Sequence, residues 1–301
     1  SSLIDALIDA AAPARDPQNR IVVASRGLRA VTHGLRHDAT GVLRADNLDR
    51  VPQTAQIGRF QSPASGAMGY HRPMTDYTLH YAPDNASLII RLALEAQGVA
   101  YDTCLVDRAA QGQSAPAYRA LNPHGLIPAL QTPDGPMFET GAILLWLADR
   151  HGGLAPAATD ATRADFLKWL FFVSNTVHPA LRMLFYPEKY VGSDGAAQDA
   201  LHATITQALQ THLRALEDRA AADTLPLALA FYLAPLLRWC ALYPQSRDRS
   251  WFDLRGMAHL HALCARVEAL PCTAAAQTAE GLGPTPFTKP RLATPPIGSA
   301  T

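Results

Sequence analysis

The sequence is most informative first for what it lacks. No two of its four cysteines, Cys104, Cys240, Cys264 and Cys272, stand two residues apart. It therefore carries neither the dithiol of a disulfide-exchange motif nor the paired thiols of a zinc site. That usage fits a reducing, cytoplasmic compartment without a disulfide framework, and no metal is expected. Neither sign of charge is in excess, with 26 Lys and Arg against 26 Asp and Glu. Nothing in that balance draws the chain to nucleic acid or to an anionic membrane surface. No apolar run approaches the ~18 residues of a membrane span.

The first 73 residues lack still more. They hold no Lys, Glu, Trp or Cys, and Phe60 and Tyr70 are their only aromatics. Short apolar patches (Leu3 to Ile8, Ile21 to Val23) are not joined by any helical or strand period. The segment is Arg-rich, as a transit peptide is, but Asp5, Asp9, Asp16, Asp38, Asp46 and Asp49 argue against one. No signal-peptide core is present either. The expectation for residues 1–73 is a disordered or non-native extension, with Met74 as the start of the organised chain.

Organised sequence begins at Tyr77. At roughly 100–200 residues per domain, 301 residues suit one large or two modest domains. Tyr77 to Tyr81 alternates and carries β-formers, which predicts a strand. Ala82 to Ser87 is a turn rich in capping residues. Ile89, Leu92, Ala93 and Ala96 then recur with helical spacing, predicting a helix with one buried stripe that Gly98 ends. Ala100 to Val106 predicts a second strand. A polar stretch, Asp107 to Arg119, holds a short helix. A loop, a strand, a turn at Pro133-Asp134-Gly135 and a strand to Phe138 follow, and Glu139-Thr140 opens a helix ending at Gly152-Gly153.

Beyond Ala157 the pattern is helical throughout. Long helices are expected over 162–185 and 198–219, a strongly apolar central one over 225–242, and a fourth over 253–270. From Thr273 the Pro and Gly content predicts a tail draped over the surface. The fold class is thus α/β plus all-α: a first domain over 74–153, a helical domain over 158–285 and a tail over 286–301.

A β-α-β-α-β-β-α unit followed by a helical domain resembles the soluble, cytosolic-type glutathione S-transferases. Three motifs carry the resemblance, which spans 77 to about 285. Leu79 to Leu94 is similar to the first strand–turn–helix of the bacterial beta class. Asn122-Pro123-His124-Gly125-Leu126-Ile127-Pro128 and Glu139-Thr140, followed by Ala142-Ile143-Leu144, supply the other two. The resemblance implies a thioredoxin-like first domain that holds glutathione as cosubstrate. It implies a cis Ile127–Pro128 bond, with the Ile127 backbone pairing the cysteinyl part of glutathione. Thr140 would hold the γ-glutamyl carboxylate at a helix N-terminus, and Glu139 the γ-glutamyl ammonium. A homodimer and a small electrophilic second substrate are implied too.

The chain departs from the beta-class pattern at Ala86, where that class has Cys. The candidate thiol-activating groups are then Ser87, Asn85 and Tyr81, while Asp84, Asn85 and Ser87 could equally do no more than cap the helix. His178, at the end of a helix that matches a beta-class one, is a further candidate, with Ser174 and Asn175 beside it. Pro179 should bend that helix. The usual capping box of the central helix is absent, its positions being Leu227 and Ala230, which leaves Asp223 or Thr224 to cap it. The leading expectation is an enzyme that joins glutathione to an electrophile. The alternatives are glutathione-dependent reduction of peroxides or disulfides, and a non-catalytic interaction protein, the latter favoured by Ala86, Phe171 and Ala230.

Overall fold

The computed structural model describes residues 75–300, so the expectation for residues 1–73 lies outside the described residues. Four short strands form one sheet in the order β2-β1-β3-β4. Strand β1 (Thr78–Tyr81) runs parallel to β2 (Asp102–Leu105), with Leu79 opposite Thr103. It runs antiparallel to β3 (Ala129–Thr132), which pairs antiparallel with β4 (Gly135–Phe138). A parallel pair needs a crossover, and helix α1 (Ser87–Gln97) supplies it. Gly98 ends α1 in the left-handed region at φ 63°, which a side chain would resist. The expected single stripe of α1 is in fact complete burial from Ser87 to Leu94. Helices packed on its other faces, not its own period, decide that. The short helix expected in 107–119 is a turn of 3-10 helix (Gly112–Ser114) followed by α2 (Pro116–Arg119). Helix α3 (Thr140–His151) closes this part of the chain.

The expected single helix over 162–185 has three parts. Helix α4 (Arg163–Phe172) runs into a π-helical turn (Val173–Val177), and α5 (His178–Phe185) continues it. Pro179 accounts for the break: it has no N–H to give the Asn175 carbonyl, and its ring would strike that group in a regular helix. Helices α6 (Glu188–Val191) and α7 (Gly195–Ala222) follow. Helix α8 (Leu227–Leu242) is buried from Ala228 to Cys240. Neither Asp223 nor Thr224 caps it. Its first-turn donor Ala228 N–H is taken by the Leu154 carbonyl at 2.9 Å, so a backbone group replaces the missing side-chain cap.

The C-terminal region corrects the sequence reading. After α9 (Ala258–Glu268), residues expected to lie loosely form α10 (Pro271–Glu280), with Pro271 at its permitted first position. Glu280 is fully buried and accepts from Arg91 Nε in α1 at 2.8 Å. The chain then folds back on itself. Thr294 N–H donates to the Gly281 carbonyl, Phe287 is buried, and Arg108 Nη1 holds the Ala300 carbonyl at 3.0 Å.

Candidate active site

A cleft of about 630 Å³ lies where the N-terminal ends of α1 and α3 face α5 and α8. Its lining includes Asn85, Ala86, Ile127, Pro128, Glu139, Thr140, Ser174, His178, Tyr232 and Trp239. That volume suits a small organic ligand.

Two helix N-termini point chemistry at this space. The first N–H groups of a helix have no intrahelical acceptor and carry partial positive charge, which favours an anion. At α3 no side chain competes for them, because Glu139 makes no capping bond. Glu139 itself sits at φ 70°, a conformation that costs a non-glycine residue of the order of 1–3 kcal/mol and that the surroundings must enforce. Gly141 allows the α3 N-terminus to approach the π-helical turn: a Cβ there would lie 3.2 Å from that of Ser174. The Ile127–Pro128 bond is cis.

At α1 the residues of the turn separate into two groups. Asn85 lines the cleft; its Oδ1 accepts the Ala86 N–H at 2.8 Å, which leaves the amide NH2 as a donor toward ligand. Ser87 is fully buried and outside the lining. Its hydroxyl donates to the Ala82 carbonyl at 3.0 Å and accepts the Ala82 N–H at 3.3 Å. Tyr81 is also buried away from the cleft, with the Arg91 guanidinium over its ring. Asn175 is exposed and outside the lining, its Oδ1 accepting from the Ser174 hydroxyl. The structure therefore brings Asn85, Ile127, Pro128, Glu139, Thr140 and His178 together and leaves Ser87, Tyr81 and Asn175 out.

His178 Nδ1 lies 3.1 Å from the Tyr232 hydroxyl, and the ring stacks edge-on to Tyr232. Burial, with Arg182 nearby, pulls its pKa down to about 4, so the imidazole is neutral at neutral pH. Burial raises the Tyr232 phenol, the Glu139 carboxylate adds to the shift, and the Thr140 side chain opposes it. Tyr232 thus stands between His178 and the α3 N-terminus, a placement without a sequence motif to announce it.

Asp84 was equally hidden. Its carboxylate accepts from Arg238 Nε and Nη2, Trp239 Nε1 and the Tyr243 hydroxyl, all within 2.9 Å, while its N–H donates to Glu280. Gln113 Oε1 is buried in the cleft wall with no protein donor among the described residues. An amide N–H of a ligand would satisfy it. The cysteines offer no rival chemistry: burial raises the thiol pKa of Cys104, Cys240, Cys264 and Cys272. A thiol so shifted is a poor nucleophile at neutral pH.

A thioredoxin-like sheet and helices joined to a helical domain, with an anion-ready cleft between them, define a glutathione-transferase architecture. Residues 82–155 match the family described as Glutathione S-transferase, N-terminal domain. The chain is 30% identical over 216 residues to Glutathione S-transferase GST-4.5 of Xanthomonas campestris pv. campestris, covering 68% of this chain and 98% of that protein. The chain belongs to the glutathione S-transferase family. Among solved structures it resembles a glutathione S-transferase from Xylella fastidiosa (28% identity, TM-score 0.60, 69% of this chain and 100% of that one). It also resembles a sphingomonad glutathione S-transferase complexed with glutathione (28%, TM-score 0.57, 68% and 100%).

Proposed function

We propose that this enzyme conjugates the thiolate of glutathione to a small electrophile. In this reading the γ-glutamyl carboxylate takes the free N–H groups of α3 and the Thr140 hydroxyl, and Glu139 pairs with the ammonium. The Ile127 backbone and Gln113 Oε1 receive the peptide part. The sulfur then falls at the N-terminus of α1, where the Asn85 amide is the available donor. A free thiol with a pKa near ~8.5 is mostly protonated at neutral pH, and a donor plus a helix N-terminus lowers that value. The thiolate forms a C–S bond while the leaving group departs with its electron pair. The observation that most supports this reading is the uncapped α3 N-terminus, with Thr140 and Glu139, opening on the same cleft as Asn85.

The test is retention on immobilised glutathione together with conjugation of chlorodinitrobenzene. Absence of retention, with no thermal shift in millimolar glutathione, would sink the reading. Peroxide or disulfide turnover without conjugation would favour the reductase alternative, with two glutathiones in place of an enzyme cysteine. The proposed setting is a cytoplasmic homodimer acting in detoxification, and the domain limits at 74–153, 158–285 and 286–301 are proposed with it. Among the described residues no helix is long and apolar enough to cross a membrane.

A further inference from the structure

Three cationic side chains converge on Tyr186 within the cleft. Arg108 Nη2 donates to the Tyr186 hydroxyl at 2.8 Å. Lys189 Nζ lies 4.5 Å from the centre of the Tyr186 ring, and the Arg182 guanidinium carbon lies 5.9 Å from it. All four residues line the cleft.

Among the described residues none of the three cations forms an ion pair. Their partners are neutral: the Ala300 carbonyl for Arg108 and the Tyr190 hydroxyl, 2.6 Å away, for Arg182. The cleft's acids are Asp84 and Glu139. Asp84 is fully engaged by Arg238, Trp239 and Tyr243, and Glu139 is assigned to the glutathione ammonium. Uncompensated like charges gathered at one end of the cleft repel one another, and an anion there relieves the cost.

Glutathione accounts for part of this charge. Its γ-glutamyl carboxylate goes to α3, and Arg108, on the thioredoxin-like domain, can take its glycyl carboxylate. Arg182 and Lys189 stand across the cleft on α5 and α6, with Arg182 one turn beyond His178. The surface beside them is aromatic: Phe185, Tyr186, Trp239 and Tyr243.

We propose that Arg182 and Lys189 select a second substrate that bears a carboxylate, namely a flat aromatic or conjugated acid with an electrophilic carbon. This rests on the glutathione-conjugation reading above. The carboxylate is a handle and is unchanged by the reaction. The thiolate forms the C–S bond, and the leaving group takes the bonding pair.

The test compares 4-chloro-3,5-dinitrobenzoate with its neutral amide, 4-chloro-3,5-dinitrobenzamide, each rate divided by its uncatalysed rate with glutathione. The ring and the leaving chloride are the same, so the ratio of corrected kcat/KM values reads the carboxylate alone. The acid should be preferred by about tenfold or more, and added salt should erode the preference. The ratio should fall to near unity in the Arg182→Gln/Lys189→Gln double variant, while Arg182→Lys retains most of it because charge and not packing is being read. A wild-type ratio near unity, or a ratio unchanged in the double variant, overturns the proposal. If the protein is retained on glutathione and turns over the amide without preferring the acid, the carboxylate inference alone fails. If it neither binds glutathione nor turns over either compound, the conjugation reading fails and takes this inference with it.

Discussion

The Asp84 carboxylate and the Arg238 guanidinium meet through two hydrogen bonds, of 2.8 and 2.9 Å, with both side chains wholly buried. The pair joins the turn before α1 to the middle of α8. Arg238 also donates to the Leu282, Pro286 and Arg291 carbonyls, so one side chain fastens the C-terminal segment to the turn that lines the cleft. Removing one member of a buried pair strands the other's charge, at a cost of about 3–5 kcal/mol. Arg238→Met should lower the urea unfolding free energy by that order. Adding Asp84→Asn should recover part of the loss, because Asn tolerates the φ of 50° at this position and is neutral. A double variant no more stable than Arg238→Met would show that stranded charge is not the cause.

Ser87 and Asn85 should separate cleanly. Ser87→Ala leaves the Ala82 N–H and carbonyl without their buried partner and should cost about 1–3 kcal/mol of stability. The pKa of bound glutathione, read from thiolate absorbance against pH, should not move. Asn85→Ala should raise that pKa and reduce turnover at neutral pH with little change in unfolding. The reverse pattern would move the thiolate site to Ser87.

Thr140→Val should weaken glutathione binding by about 1.5–3 kcal/mol, the range for a hydrogen bond to a charged group. Calorimetric titration measures it, and Thr140→Ser should retain most of the affinity. Affinity kept in Thr140→Val but lost in Thr140→Ser would show that the methyl group, and not the hydroxyl, is the important contact.

His178 gives a signed pH dependence. Its pKa is about 4 folded against 6.5 unfolded, so its contribution is full above pH 6.5 and is lost as pH falls through about 4. Glu280 works in the opposite sense. Burial pushes its carboxyl up to about 7 despite Arg91, so its contribution is full below 4.5 and is lost as pH rises through about 7. Comparing wild type with His178→Asn cancels the Glu280 effect. Relative to the variant, wild type should lose stability between pH 6.5 and 4, and the imidazole NMR shifts should titrate near 4. An imidazole titrating at its ordinary value would contradict this.

What the sequence by itself determined is local. The β-α-β unit, the Gly98 stop, the 129–138 hairpin and the helix start at Thr140 follow from period, turn residues and capping, all of which act within a few residues. The motifs at 122–128 and 139–140 pointed to the proposed glutathione grip only through the family resemblance they carry. Tertiary structure alone decided which polar side chain of the 84–87 turn keeps a free donor at the cleft. Asp84 is drawn inward by Arg238, 154 residues away, Ser87 is spent on Ala82, and Asn85 is left. It also decided that α10 forms with Glu280 buried against Arg91, where Pro and Gly content suggested a loose tail. The meeting of Arg108, Arg182 and Lys189 at Tyr186 belongs here too. Burial and charge pairing depend on what covers a residue, and in this protein the covering groups come from distant parts of the chain.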